Sequence, residues 1–273
     1  MLNGSISVIM PAYNEATHIL DNLREVVDTM AGRYDFEVIV VDDGSPDRTY
    51  LEALKFVAPD PSRVRVVRYD ENLGKGNALM CGTWFARGEY VVFLDADMDL
   101  HPSQLPMFFE ILERTGADAV IGSKRHPDSQ VDYPFVRRVY SIAYYSLIRL
   151  MFGLPVKDSQ TGLKVFRAEV LQRVLPRILV KRFAFDIEVL ANAHRLGYRI
   201  VDGPVRLEFK RKIGRIKLKD VLNILTDTLA IYYRMHILRY YDRLDSVRLG
   251  DLRLAEQVGG LRVAEAAHKA RRA

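Results

Sequence analysis

Apolar positions follow two rhythms along this chain. In the first half, SISVIM (5–10), FEVIVVDDGS (36–45), RVRVVRY (63–69), EYVVFLD (89–95) and ADAVIGS (117–123) are short, nearly continuous apolar runs that predict five buried strands. Between them the spacing turns helical. The stretch Glu15 to Met30 puts Ile19, Leu23, Val26, Val27 and Met30 on one face, and Pro46 to Val57 predicts a second helix. Residues 74–88 predict a third, stopped by Gly88, and Pro102 opens a fourth that continues through PMFFEILERTG (106–116) to Gly116. Unalternating strands separated by helices imply a mostly parallel sheet covered on both faces, so the predicted class is α/β.

The second half has another texture. Residues 136–154 read as an aromatic-rich helix, 158–167 as a loop entering a short strand, 185–197 as a helix closing on glycine, and 217–244 as a long amphipathic helix. Beyond about Gly250 the chain becomes rich in alanine, glycine and charge, which predicts a mobile tail. Tyr140, Tyr144, Leu147 and Met151 share one helical stripe near Arg137, Arg138 and Arg149. Leu218, Leu222, Leu225, Leu229 and Tyr232 share another, flanked by Lys217, Lys219, Arg234 and Arg239. An apolar face edged by cations suits a membrane interface, and it also suits core packing or a dimer seam. No run of about 18 uncharged apolar residues occurs, so no transmembrane helix is expected. The N-terminus lacks the basic region of a secretory signal.

Composition adds limits. With 49% hydrophobic and 27% charged residues over 273 positions, the chain is a folded globular protein, and its one cysteine, Cys81, excludes an internal disulfide. The net charge of +5 clusters at 180–183, 208–219 and 269–273. Such clusters serve phosphates, anionic lipids or nucleic acid. The last has no recognised nucleic-acid-binding pattern behind it, so no nucleic-acid partner is expected.

The candidate chemistry falls at strand ends: PAYNE after the first, DDGS after the second, DADMD after the fourth and GSKR after the fifth. Parallel sheets build their sites on that edge. Asp95 and Asp97 lie on the same side of an extended chain. Two close carboxylates call for a divalent cation or for a raised pKa in one of them. Oxygen-only ligands suit Mg²⁺ or Mn²⁺, with substrate phosphates completing the shell. A bland alternative has the pair cap the turn before Pro102. DDGS either holds a ribose hydroxyl or a base edge, or forms a tight turn with Ser45. In NLGKG (72–76), Gly74 and Gly76 allow close backbone approach and Lys75 can reach a base or phosphate, although the full phosphate-loop pattern is absent.

Taken in order, VIMPAYNE, FEVIVVDDGSPDRT, ENLGKGNALMCG, GEYVVFLDAD, VIGSKR, DSQTGLKVF and RFAFDIEVL resemble the family-2 glycosyltransferases of GT-A fold, over residues 5 to about 220. More narrowly they look like the dolichyl- or polyprenyl-phosphate sugar synthases, with a lean to the glucosyl- over the mannosyl-transferring type. The resemblance implies a Rossmann-like, mostly parallel central sheet flanked by helices, with C-terminal amphipathic helices. It divides the chain into a catalytic domain (1–215), an interfacial helix (216–245) and a mobile basic tail (246–273). The implied reaction moves a hexose, with inversion, from UDP-glucose or GDP-mannose to a polyprenyl or dolichyl phosphate. The implied enzyme is monotopic, peripheral at the cytoplasmic membrane face; a homo-oligomer stays open.

By this resemblance Pro11, Ala12, Tyr13, Glu15 and Asp43 would line the base and ribose pocket, and Lys75 would approach the base or diphosphate. Asp95, Ala96, Asp97 and Lys210 would complete the donor site, with Asp95 and Asp97 holding Mg²⁺ or Mn²⁺. The family commonly reads D-A-D-L-x-H-P, and DADMDLHP is one residue longer, so Asp99 and His101 both stand near the third ligand position; His101 fits better as a helix cap. Lys124, Arg125 and Arg211 would take the acceptor phosphate, and Asp97, Arg125, Asp158 and Gln160 would serve the chemistry. Gly162 matches the acceptor-side loop, and Asp186 and Glu188 match a later helix, in a structural or functional role. Lys210, Arg211, Lys212, Arg215 and Lys217 would form a lid over phosphates or a solvated basic face. The alternatives are transfer to a glycan or soluble acceptor, a basic nucleic-acid-binding protein, and a sugar nucleotidyltransferase, whose Gly-rich N-terminal loop is missing.

Overall fold

The computed structural model describes residues 4–57, 63–131, 135–182, 184–208, 218–244 and 262–264. The first half keeps the expected alternation: β1 (Ile6–Ala12), α1 (Ile19–Met30), β2 (Phe36–Asp43), α2 (Thr49–Val57), β3 (Val64–Tyr69), α3 (Lys75–Phe85), β4 (Tyr90–Leu94), α4 (Leu105–Thr115) and β5 (Ala119–Ser123). Then come α5 (Phe135–Phe152), β6 (Leu163–Arg167), α6 (Ala168–Val174), α7 (Phe185–Arg195), β7 (Ile200–Pro204), α8 (Leu218–Tyr232) and β8 (Arg262–Ala264). The strands form one eight-stranded sheet in the order β7-β5-β6-β4-β1-β2-β3-β8.

Period-2 geometry sorts each strand's side chains to two faces. Ile9, Ile39, Val41, Val91 and Phe93 enter one core with α3, α5, α6 and α7. Val8, Met10, Val38, Val40, Val92 and Leu94 enter the other with α1, α2 and α4. α1 shows how the helices attach: Ile19, Leu23, Val26 and Met30 are all fully buried, and each such burial is worth about 1.5–3 kcal/mol. α4 stops where expected, on Gly116 at φ 61°.

β1 pairs in parallel with β2 and β4, and β2 with β3. β6 is antiparallel to both β4 and β5. The carboxyl ends of β1, β2, β4 and β5 therefore share one edge with the amino end of β6. Leu163 of β6 faces Leu94 of β4, so the DSQTG loop arrives beside Asp95.

Two expectations change. The helix expected over 217–244 ends at Tyr232; a π-turn (Tyr233–Ile237), Arg239 at φ 47° and a 3₁₀ turn (Tyr241–Leu244) follow. The break lets Arg234 and Tyr241 both reach the buried Glu188 of α7. Residues 262–264, within the stretch expected as a mobile tail, form β8 and pair antiparallel with β3; an open strand edge is a ready template for such pairing. Among the described residues no helix is long and apolar enough to cross a membrane.

Candidate active site

The edge where β1, β2 and β4 end opens into a cleft of about 330 Å³. Pro11, Ala12, Tyr13, Glu15, Asp43, Lys75, Asp95, Ala96 and Asp97 all line it, joined by Asn72, Gly74 and Arg182. Lys210 lies outside the described residues.

The two acidic residues ending β2 divide their work. Asp42 accepts the Ser45 N–H (3.2 Å) and makes the turn. Asp43 accepts from the Tyr69 hydroxyl (2.7 Å) and from the N–H groups of Leu73 (2.8 Å) and Gly74 (3.0 Å), so it anchors the NLGKG loop that carries Lys75. Burial raises its pKa, and these hydrogen bonds oppose the rise. Gly74, at φ 101°, is pressed against Arg182: a β-carbon there would come within 2.8 Å of the Lys181 carbonyl. Asn77 N–H also donates to that carbonyl (3.1 Å), which fixes Arg182 to the cleft wall.

The DAD turn is held from beneath. The Asn22 amide of α1 donates to the Ala96 carbonyl (2.6 Å). Met98, fully buried at φ 57°, turns the chain after Asp97. Asp99 follows outside the cleft lining, with its carbonyl accepting from Glu208 N–H (2.9 Å). His101 caps the 3₁₀ turn before α4: its Nδ1 accepts from Ser103 N–H (3.1 Å). Burial and the neighbouring Asp95 charge push the Asp97 carboxyl up to about 6. Lys75 Nζ lies 2.7 Å from Asp95 Oδ1. Burial alone would lower the Lys75 pKa, but Asp95 and then Asp186 outweigh it and hold the ammonium above its ordinary value. Asp186 in turn pairs with the buried Lys164 at 2.8 Å.

A smaller hollow of about 60 Å³ lies at the ends of β5 and α5, lined by Lys124, Arg125, Tyr144, Tyr145, Lys157, Asp158 and Gln160 among others. Burial would raise the Asp158 pKa, but Lys124, whose Nζ is 3.4 Å away, and hydrogen bonds from Thr161, Gln160 and Lys124 N–H bring it below the usual carboxylate range. The Arg125 guanidinium stacks over Tyr145 at 4.9 Å and donates to the Lys157 carbonyl. Arg211 lies outside the described residues. The loop that gives Asp158 and Gln160 to this hollow runs on to Gly162, where a β-carbon would stand 2.5 Å from the carboxyl carbon of Asp95 in the cleft and closer still to Oδ2. Gly162→Ala must therefore displace Asp95. We expect kcat to fall roughly a hundredfold with a smaller effect on thermal stability, checked by steady-state kinetics beside a melting curve.

A profile of the family described as Glycosyl transferase family 2 matches residues 7–175. The chain belongs to glycosyl transferase family 2. It is 36% identical over 221 residues to an undecaprenyl-phosphate mannosyltransferase of Micrococcus luteus, covering 78% of this chain and 87% of that one. It is 32% identical over 235 residues to the glycosyltransferase AglD of Haloferax volcanii, covering 85% of this chain. It is 28% identical over 213 residues to a dolichyl-phosphate beta-glucosyltransferase of Dictyostelium discoideum, covering 73% of this chain. The match spans only 38% of AglD and 65% of the Dictyostelium protein. Among solved structures, glucosyl-3-phosphoglycerate synthase of Mycobacterium tuberculosis, in complex with Mn²⁺, UDP-glucose and phosphoglyceric acid, shares the GT-A fold with TM-score 0.61 at 22% identity, over 84% of this chain and 78% of that one.

In this family-2 chain the chemistry of the cleft fits a divalent cation. Asp95 and Asp97 offer only oxygen donors, burial and then the Asp95 charge raise the pKa of Asp97, and a cationic group already sits on Asp95. Among the described residues no group of three His, Cys, Asp or Glu converges, so Asp99 is not drawn into a three-carboxylate cage. Diphosphate oxygens and water would complete a shell here. Sequence reading missed Arg182, Asn72 and the Lys164–Asp186 pair. VKRF did stand out as a basic cluster, but only the contact with Gly74 brings Arg182 to the cleft.

Proposed function

We propose that this chain transfers a hexose, with inversion, from a nucleotide diphosphate sugar to a polyprenyl phosphate at a membrane surface. The observation that carries this reading is the contact of the 158–162 loop with Asp95, which links two hollows: one acidic and suited to a metal-bound diphosphate, the other lined by Lys124, Arg125 and two tyrosines. The names of the relatives from Micrococcus and Dictyostelium support a polyprenyl acceptor.

Asp95 and Asp97 would hold Mg²⁺ or Mn²⁺, which neutralises charge on the departing nucleoside diphosphate when bound. Pro11, Ala12, Tyr13 and Glu15 face the nucleoside, Tyr13 being 44% exposed at the cleft mouth, where an aromatic ring can stack on a base. Lys75 and Arg182 supply cations to the diphosphate, and Lys210 belongs to the same proposal. The acceptor is a phosphate monoester, largely ionised near pH 7, so it needs positioning more than deprotonation. Lys124 and Arg125, with Arg211, hold that phosphate; Asp158 orients Lys124, and Gln160 lines the same hollow. In-line attack then inverts the anomeric carbon, from α-linked donor to β-linked product.

Access to a lipid comes from the C-terminal half. α5 packs on α8 through Tyr144 and Thr228 (3.3 Å between oxygens) and through Phe152 and Tyr232 (6.2 Å between rings). Tyr144 and Met151 of the expected α5 stripe turn inward onto the core. Leu222, Leu225 and Leu229 of α8 are exposed, with Ile142 and Leu150 of α5 and Tyr233 and Ile237 beyond α8. Exposed apolar residues of this size suit a bilayer interface, and we place the enzyme as monotopic on the inner face.

The test is a donor and acceptor screen: purified protein, Mg²⁺ or Mn²⁺, and UDP-glucose beside GDP-mannose, with a short-chain polyprenyl phosphate or with soluble saccharides and phosphoglycerate. Turnover only with the prenyl phosphate is expected; turnover only with a soluble acceptor would overturn the lipid assignment. The raised Asp97 pKa sets a pH dependence. Protons and a divalent ion compete for the ionised carboxylate, so the half-saturating Mn²⁺ concentration should rise up to about tenfold per pH unit below about 6 and level off above it. Titrations of Mn²⁺ between pH 5 and 8 check this.

A further inference from the structure

Lys75 occupies an unusual position for a residue that serves a diphosphate. Its ammonium makes a bifurcated contact with Asp95, 2.7 Å from Oδ1 and 2.8 Å from Oδ2. Both oxygens that face the cleft are thereby engaged by a cation belonging to the protein. On its inner side Lys75 feels Asp186, whose charge is already matched by Lys164 at 2.8 Å. A Lys75 side chain released from Asp95 therefore gains little by moving inward, and its remaining route is toward the open cleft. Lys75 is also the first residue of α3, so its ammonium swings beside a helix start that favours anions.

We propose that Lys75 is the resident counter-ion of Asp95, released to the donor's diphosphate only when a divalent cation takes its place, so that cation and donor enter the cleft as a coupled pair. The charges show why each binds poorly alone. Asp95, Asp97 and Lys75 together leave the cleft negative at neutral pH, which opposes a diphosphate. A divalent ion alone competes with an ammonium that carries no cost of association. Together they balance most of the charge: the carboxylates meet the divalent ion, Lys75 meets one phosphate charge, and Arg182 of the same lining meets the other. This inference rests on reading the cleft as a metal–diphosphate site; it does not depend on the lipid acceptor.

The test is binding of Mn²⁺ to the full chain, followed by electron paramagnetic resonance, without nucleotide and with UDP. For the wild type we expect weak Mn²⁺ binding alone and much tighter binding with UDP. In Lys75→Met the Mn²⁺-alone dissociation constant should tighten about tenfold while UDP binding weakens, the reverse of what a lost structural contact would do. Lys75→Arg keeps the cation and should resemble wild type in Mn²⁺ alone. Arg182→Met removes another cation of the cleft lining and should leave Mn²⁺ alone within about twofold, because it makes no ion pair with Asp95. Unchanged or weaker Mn²⁺ binding in Lys75→Met would overturn the exchange, as would equal tightening in Arg182→Met, which would mean general electrostatics. Wild-type protein that binds no Mn²⁺ even with UDP would remove the metal–diphosphate reading itself, and the exchange with it. Lys75→Gln repeats the measurement if the methionine variant melts early.

Discussion

Replacing Asp97 with alanine is expected to lower turnover at least about a thousandfold while leaving the fold intact. The physical case has two halves. Asp97 and Asp95 present their oxygens to the same cleft, and the proposed mechanism places there the charge that forms on the leaving diphosphate. Losing one of the two proposed protein ligands would also lose the geometry of the other. The second half concerns stability. The folded pKa of Asp97 is about 6, above the usual carboxylate value, because of burial and then Asp95. A raised carboxyl pKa stabilises the fold fully only below the unfolded value, and that contribution disappears as pH rises through about 6. At pH 7.5 the ionised side chain is therefore a burden in the metal-free protein, relieved by alanine. The melting temperature of the metal-free variant should equal or exceed that of the wild type at pH 7.5, and its advantage should shrink as pH falls through about 6 and vanish only below about 4, the ordinary carboxyl value. Retained turnover, or an early melt at pH 7.5, would remove Asp97 from the metal site.

Glu188→Gln should be a strongly destabilising change although it preserves the side chain's shape. The carboxylate is fully buried in α7. It accepts N–H groups of Leu179 (3.0 Å) and Val180 (2.7 Å), the Tyr241 hydroxyl, and the Arg234 guanidinium (3.1 Å). One carboxylate thus joins the segment leading to Arg182 with the segment after α8. An amide turns a donor toward donors and leaves the Arg234 charge uncompensated. Breaking a buried ion pair in this way costs roughly 3–5 kcal/mol, a fall of about 10 °C in melting temperature for a chain of this size. The double variant Glu188→Gln with Arg234→Met should recover part of that loss, since the uncompensated charge goes too. A single variant that melts within about 1 °C of wild type would show that the hub carries little of the fold.

The legible parts of this protein are those whose cause is local. The apolar runs at β1, β2, β3, β4 and β5 and the helical spacing between them reveal a parallel sheet, because burial on both faces demands continuous apolar strands. The residues just past those strands converge for the same topological reason. That is why PAYNE, DDGS and DAD, far apart along the chain, line one cleft. Less legible was the helix over 217–244. Its spacing continues past Tyr232, but the chain breaks because Arg234 and Tyr241 find a buried carboxylate 46 and 53 positions away. β8 was hidden in an Ala- and Gly-rich stretch because its three residues gain order from the open edge of β3, with no periodicity of their own.

By itself, then, the sequence determined the α/β alternation, the edge on which chemistry collects, and the oxygen-rich character of the DAD turn. Each follows from side-chain type and short-range period. Tertiary structure alone decided that β6 runs backwards between β4 and β5, bringing Gly162 against Asp95, that Arg182 faces the cleft, and that Lys75 rests on Asp95. Strand direction and long-range ion pairs depend on which segments compete for the same buried surface, and no local pattern encodes that competition.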